Sequence, residues 1–145
     1  MHGLTRLFAG PGPILLDFDG PVCAVFAGRP APEVAARLAA AFGVAGTGDP
    51  LEVLRRADAH GDPALTRAVD DALTAEELAA VASAVPTEGA AALIGAAHAA
   101  GKRVAVVSNN GRPAITRYLD AHELTVDAVV GRAPGSPGEM KPSPL

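Results

Sequence analysis

The stretch PILLDFDG at residues 13–20 decides the fold of this chain. Pro13–Leu16 is a short, continuous apolar run, which is typical of a strand covered on both faces in a parallel sheet. The run leads directly into Asp17 and Asp19, and Gly20 then allows the chain to turn sharply. Because open α/β sheets bind ligands outside the carboxyl ends of their strands, we expect both carboxylates to lie at a binding edge.

Two further runs resemble the first. Val104–Val107 is a second continuous apolar run, which leads into Ser108, and Val126–Val130 is a third β-type run, which contains Asp127 and leads into Gly131. The pattern predicts a helix between them, from Arg112 to about His122, so the three elements form a right-handed βαβ unit. We therefore predict an α/β fold built on a Rossmann-like parallel sheet.

The long segment between the first two runs has an almost purely helical pattern. It predicts five helices, which begin at Pro32, at Asp49-Pro50, at Asp62-Pro63, at a Thr74–Glu77 capping box and at Thr87 or Glu88. A crossover between parallel strands needs only about a dozen residues. The first four helices are therefore predicted to form an inserted helical cap, the cap segment (residues 22–85), within an α/β core made of residues 1–21 and 86–145.

The composition excludes several classes of protein. With 49% hydrophobic and 19% charged residues, the 145-residue chain does not resemble a disordered protein. The net charge of −4 argues against nucleic acid or an anionic membrane as a partner. No apolar run approaches the roughly 18–20 residues that a membrane span needs. The single cysteine, Cys23, excludes an internal disulfide, so we expect a cytoplasmic protein.

Three groups of residues are able to carry chemistry. Two neighbouring carboxylates repel each other unless a cation or a shared proton relieves them, and Mg²⁺ prefers such oxygen ligands, so Asp17 and Asp19 indicate a candidate metal site. Ser108 and Asn109 precede a helix, where a hydroxyl and backbone N–H groups form an anion cradle. Lys141 is one of only two lysines beside ten arginines, which favours a role for its compact ammonium group. Taken singly, each group also fits an ordinary structural role: turn acids, a helix N-cap and a solvated loop lysine.

Together the three groups resemble a known family. The order Asp17-Phe18-Asp19-Gly20-Pro21-Val22, then Val107-Ser108-Asn109, then Lys141-Pro142 is similar to the first three motifs of the haloacid dehalogenase superfamily of phosphohydrolases. The cap segment resembles the helical cap of the phosphoglycolate phosphatase-like and β-phosphoglucomutase-like members. The resemblance extends from about Pro13 to Pro144.

The resemblance implies a role for each motif residue. Asp17 matches the nucleophile that forms an aspartyl-phosphate, and Asp19 matches the general acid/base. The Asp17 side chain and the Asp19 backbone carbonyl match the Mg²⁺ ligands. Ser108 and the Asn109 backbone would hold the phosphoryl oxygens, and Lys141 would neutralise their charge.

The resemblance also implies a reaction. Dehalogenase members lack the acid at the position of Asp19, so hydrolysis of a small phosphorylated metabolite is expected, with a phosphomutase as the near alternative.

The sequence departs from the family at its fourth motif, an acidic pair on a further strand that completes the Mg²⁺ site. This motif and the last strands of the family fold are absent from the sequence, which ends at Leu145. We expect weak Mg²⁺ binding and little turnover, and an inactive remnant or interaction module is the alternative. Without a neighbouring strand, Pro13–Phe18 would form an apolar sheet edge, which predicts self-association.

Overall fold

The computed structural model describes residues 10–141 and has a mixed α/β architecture, so the predicted α/β class is confirmed. Its strands are β1 (Ile14–Leu16), β2 (Cys23–Ala24), β3 (Val85–Pro86), β4 (Val104–Gly111) and β5 (Ala128–Arg132). Its helices are α1 (Ala31–Phe42), α2 (Pro50–Asp58), α3 (Pro63–Val81), α4 (Ala90–Ala99) and α5 (Arg112–Ala121), with a short 3₁₀ helix at Pro137–Glu139. Pro142 of the third motif, and Pro144 at the end of the resemblance, lie outside the described residues.

The main sheet contains three parallel strands in the order β1-β4-β5. Leu16 pairs with Val106, and Val106 pairs with Val129, so the three predicted parallel strands are confirmed. Strand β4 continues to Gly111, beyond its predicted end, after a register shift. This alignment brings the carboxyl ends of β1 and β4 to the same edge of the sheet, where Asp17 follows β1 and Ser108 lies in the last part of β4.

Helices α4 and α5 pack against one face of this sheet. Val104 and Val106 of β4 are fully buried. Val104 packs with Ile94 of α4, and Val106 packs with Ile115 of α5. The core of the sheet therefore lies between these two helices and the buried face of β4.

The opposite face of the sheet is open in the described part of the chain. Leu15 is 65% exposed, and Val130 is also exposed. The predicted coverage of the strands on both faces is wrong for residues 10–141. Because the strand order advances in one direction and crossovers are right-handed, α4 and α5 are both carried to the same face.

Helices α1–α3 pack on one another. Helix α1 ends at Gly43, which has the left-handed φ of 64°. The side chains of Asp49 and Asp62 accept hydrogen bonds from backbone N–H groups in the first turns of α2 and α3, so both predicted N-caps are confirmed. The three helices enclose an apolar cluster that includes Val34, Leu38, Val53, Leu54, Val69, Leu73 and Met140.

Helix α3 is one continuous helix of 19 residues. The predicted start of a separate helix at Thr74 is therefore wrong. No glycine or proline interrupts the chain between Pro63 and Val81, so the capping pattern alone does not end the helix. The Thr74 and Glu77 side chains bind Arg132 instead of capping a helix. The predicted helix before β4 begins later than expected, at Ala90 after Gly89.

A two-stranded antiparallel ribbon, β2–β3, was not predicted. Cys23 pairs with Pro86, and Ala24 pairs with Val85. The backbone N–H of Thr87 also donates to the Val22 carbonyl at 3.1 Å. The ribbon therefore joins the two ends of the segment that contains α1–α3, directly after the turn at Asp17–Gly20.

Candidate functional site

A cavity of about 370 Å³ lies at the carboxyl ends of β1 and β4. Four of the five predicted site residues line it: Asp17, Asp19, Ser108 and Asn109. The opposite wall is formed by residues 48–51, before and at the start of α2, by Phe26 in the loop before α1, and by Leu73 of α3. The structure therefore gathers the predicted residues between the sheet edge and the three helices.

Lys141 approaches Asp17 from the side of β4. Its Nζ lies 3.3 Å from Asp17 Oδ2 and donates to the Val107 carbonyl at 2.8 Å. The other Asp17 oxygen, Oδ1, accepts from the Phe18 backbone N–H at 2.7 Å. The carboxylate of Asp17 is therefore oriented by one backbone donor and one ammonium group.

The Asn109 side chain fastens Lys141 to the end of β4. Asn109 Oδ1 accepts from the Lys141 backbone N–H at 2.6 Å, and Asn109 Nδ2 donates to the Lys141 carbonyl at 2.7 Å. Arg55 of α2 donates to the same carbonyl at 3.3 Å. The family resemblance implied a role only for the backbone of Asn109, so this positioning contact of the side chain was not predicted.

Asp19 lies in a tight turn that begins at the end of β1. Its Oδ1 accepts from the Val25 backbone N–H at 3.2 Å, and Gly20 has a φ of 112°, which favours glycine. Burial, with a further contribution from the Asp19 charge, raises the pKa of the Cys23 thiol to about 12. The thiol is therefore neutral and buried, as expected of a packing residue and not of a nucleophile.

The Ser108 hydroxyl is buried at the end of β4. It donates to Asn110 Oδ1 at 2.9 Å and accepts from the Asn110 backbone N–H at 3.1 Å. Asn110 in turn donates through Nδ2 to Glu77 Oε2 at 3.0 Å. The Asn110 side chain thus links the predicted phosphate cradle to helix α3.

A buried ionic network joins α3 to the ends of β4 and β5. Arg132 Nε donates to Asp70 Oδ1 at 2.8 Å, and its terminal nitrogens donate to Glu77, to Thr74 and to the Asn109 carbonyl. The Arg132, Asp70 and Glu77 side chains are only 1%, 4% and 0% exposed. Burial alone lowers the pKa of Arg132, but Glu77 and Asp70 more than offset it and hold that pKa above its ordinary value.

The sequence analysis missed this network, although a signal was present. Asp70, Thr74 and Glu77 recur at helical spacing on the face of α3 that the apolar pattern predicts to be buried. Buried carboxylates need a partner cation, so these positions require a buried arginine or lysine elsewhere in the chain.

The acidic residues fit Mg²⁺ in the chemistry of their donors. Asp17 and Asp19 supply carboxylate and carbonyl oxygens, and Mg²⁺ commonly takes one or two carboxylates and keeps several waters. Within residues 10–141, no group of three or more His, Cys, Asp or Glu side chains is arranged to hold a metal ion. The donor set is therefore suited to Mg²⁺ but sparse.

A larger cavity of about 1080 Å³ lies between α3, α5 and the chain after β5. Arg67, Arg112, Arg117 and Asp120 are among the residues that line it. It contains none of the predicted site residues, and its size alone does not indicate a reaction. The smaller cavity is the candidate site because it gathers the reactive groups.

Comparison with known proteins gives no independent assignment. No protein-family model matches this chain, and neither a curated protein nor a solved structure shows significant similarity to it. None of the described helices is long and apolar enough to cross a membrane. The fold and site define an α/β protein with an acidic cavity at the carboxyl edge of its parallel sheet.

Proposed function

We propose that this protein is a Mg²⁺-dependent phosphohydrolase of small phosphorylated metabolites, with a haloacid dehalogenase-like fold and mechanism. One observation carries the proposal. Asp17, Asp19, Ser108 and Asn109 share a single cavity, and the Lys141 ammonium lies 3.3 Å from the Asp17 carboxylate. This combination provides a nucleophile, an acid/base, an anion cradle and a counter-charge.

In the proposed reaction, an oxygen of the Asp17 carboxylate attacks phosphorus, and the bond from phosphorus to the ester oxygen breaks. Asp19 donates a proton to the departing oxygen and then accepts one from the water that hydrolyses the aspartyl-phosphate. Lys141 offsets the charge on Asp17 and on the phosphoryl oxygens, and groups at Ser108 and Asn109 orient those oxygens. Asp17 and Asp19 would hold Mg²⁺, which supplies further positive charge at the phosphoryl group.

The cap segment (residues 22–85) completes this site in the proposal, over the core of residues 1–21 and 86–145. Its helices α1–α3 have an apolar cluster of their own. Phe26, Leu51 and Leu73, all within this segment, line the cavity opposite Asp17. The cap segment would thus exclude water from the bound ester and contact its leaving group.

The test is hydrolysis of p-nitrophenyl phosphate with and without Mg²⁺. Asp17→Asn should lower kcat by about 10³-fold or more, because the amide is not a nucleophile. Asp19→Asn should slow release of phosphate and allow a phosphorylated protein to be detected by mass spectrometry. Asp71→Asn is the matched control, since Asp71 is an exposed acid outside the cavity. Full activity of Asp17→Asn would refute the proposal.

The sparse donor set favours a second candidate, a non-catalytic remnant or interaction module that retains the motifs. Calorimetric titration with Mg²⁺ distinguishes the two candidates. Mg²⁺ binding that disappears in Asp17→Asn, together with turnover, supports the enzyme. Absence of both supports the module. Retention of aspartyl-phosphate in the presence of a sugar phosphate would instead indicate the phosphomutase.

A further inference from the structure

We infer that the candidate site selects phosphomonoesters whose leaving group is short and carries no negative charge. This inference rests on the proposed function and names the substrate class that its cavity accepts. It follows from the charges that surround the cavity, from the pairing of the nearby arginines and from the apolar wall opposite Asp17.

The cavity is lined by acids and by no cationic side chain among the described residues. Asp49 and Glu77 add to the two catalytic aspartates, whereas lysine, arginine and histidine are absent from the lining. Two cations that contact lining residues already serve acids: Lys141 lies against Asp17, and Arg132 lies against Glu77. A phosphoryl group can share the Lys141 charge, but the lining offers no cationic side chain to a second anionic group.

The arginines of α1 and α2, and Arg29 just before α1, do not add a cation to the cavity lining. Arg29 and Arg37 both bind Glu76, at 2.7 and 2.9 Å. Arg55 and Arg56 both lie near Glu52 of their own helix, at 3.7 and 3.4 Å. Each of these arginines thus has an acidic partner outside the cavity lining, and each of the two acids is shared by two arginines.

The wall that the cap segment contributes to the cavity is largely apolar. Phe26, Pro50, Leu51 and Leu73 belong to it, and a cavity of about 370 Å³ lies at the small end of the range for ligand pockets, which favours a short leaving group beside the phosphoryl group. Placing a carboxylate against these side chains removes its water without replacing the lost hydrogen bonds. An alkyl or amino-alkyl group meets no such penalty.

Three esters of similar size test the selection: propyl phosphate, 2-aminoethyl phosphate and carboxymethyl phosphate. We expect kcat/KM for carboxymethyl phosphate to be about tenfold or more below that for propyl phosphate, because like charges and desolvation both oppose it. Binding of the same esters to Asp17→Asn, measured by ligand-observed NMR, should show the same order. This second measurement does not depend on turnover.

Asp49→Asn probes the charge without changing the helix start. Asparagine is as good an N-cap as aspartate, so the acceptor for the Leu51 N–H is kept while one negative charge is lost. The ratio of kcat/KM for carboxymethyl phosphate over propyl phosphate should rise about three- to tenfold. Asp62→Asn is the matched control: it caps α3 in the same way, lies outside the cavity lining, and should leave the ratio unchanged.

The outcomes separate the two proposals. The inference about charge is overturned if carboxymethyl phosphate binds as tightly as propyl phosphate or more tightly. It is also overturned if Asp49→Asn leaves the ratio of the two kcat/KM values unchanged. Charge selection in binding without hydrolysis by the parent protein supports this inference and refutes the proposed reaction. Hydrolysis that depends on Asp17 but favours the anionic ester refutes the inference alone.

Discussion

Replacing Arg132 by methionine should destabilise the protein more than any surface substitution. Methionine keeps much of the apolar length of arginine but removes all five donors. Asp70 and Glu77 then remain in place without a counter-charge, and both carboxylates are almost completely buried. The substitution also removes the donors to Thr74 and to the Asn109 carbonyl.

Breaking a buried ion pair by removing one partner typically costs about 3–5 kcal/mol. Whole domains have a free energy of unfolding of only about 5–15 kcal/mol. For a chain of this size, the loss corresponds to a decrease in Tm of about 10–20 °C. Arg132→Met should therefore consume a large part of the total stability.

Urea unfolding followed by circular dichroism at neutral pH measures this loss. Arg67→Met is the matched control, because Arg67 lies 3.9 Å from Asp71 and both side chains are mostly exposed. Its effect should stay within about 1 kcal/mol. The triple variant Arg132→Met, Asp70→Asn, Glu77→Gln removes the unpaired charges and should recover part of the stability. If Arg132→Met cost no more than Arg67→Met, the network would not hold α3 to the sheet.

Two further predictions concern Glu76 and the edge of the sheet. Hydrogen bonds from Arg37 and from Arg29 lower the pKa of Glu76 from its ordinary 4.5 to about 2. Because the pKa of Glu76 is lower in the folded state, its ionised carboxylate stabilises the fold at pH values above the unfolded-state pKa. This stabilisation is lost as the pH falls from about 4.5 toward 2. Glu76→Gln should therefore lower the free energy of unfolding by about 1 kcal/mol at pH 7 and make that free energy less dependent on pH between about 4.5 and 2. Urea unfolding at several pH values measures both effects, and the same pH dependence in the variant as in the parent protein would contradict the prediction. Leu15→Lys, on the open face of the edge strand, should reduce any concentration-dependent self-association in analytical ultracentrifugation; unchanged association would exclude this surface.

Sequence patterns predicted the features that depend on neighbouring residues. Asp49-Pro50 and Asp62-Pro63 mark helix starts because the cap and the proline act within one turn. The apolar runs before Asp17 and Ser108 predicted two parallel strands, and their alignment follows from the shared direction of the strands. Local signals therefore sufficed to predict that Asp17, Asp19, Ser108 and Asn109 lie close together at one edge of the sheet.

Contacts between distant segments could not be predicted in this way. Arg132 and Glu77 are 55 residues apart, and Asn109 and Lys141 are 32 apart. No periodicity relates such positions, so Thr74 and Glu77 were interpreted as a capping box, the commonest local use of that pattern. The two-residue strands β2 and β3 are too short to show alternation and pair only because the tertiary fold brings them together.

The Arg132 network also bears on how a substrate would reach Asp17. Leu73 and Glu77 lie one turn apart on α3, and both line the cavity. Since Glu77 is bonded to Arg132 and to the Gly111 backbone, the wall formed by α3 is fixed relative to the end of β4. Moving that wall would expose two buried carboxylates and their arginine together. Asp17 is itself 48% exposed, and Asp49 is exposed in the loop before α2, so both are accessible without movement of that wall. The residue that we assign to charge selection thus lies at an open part of the cavity.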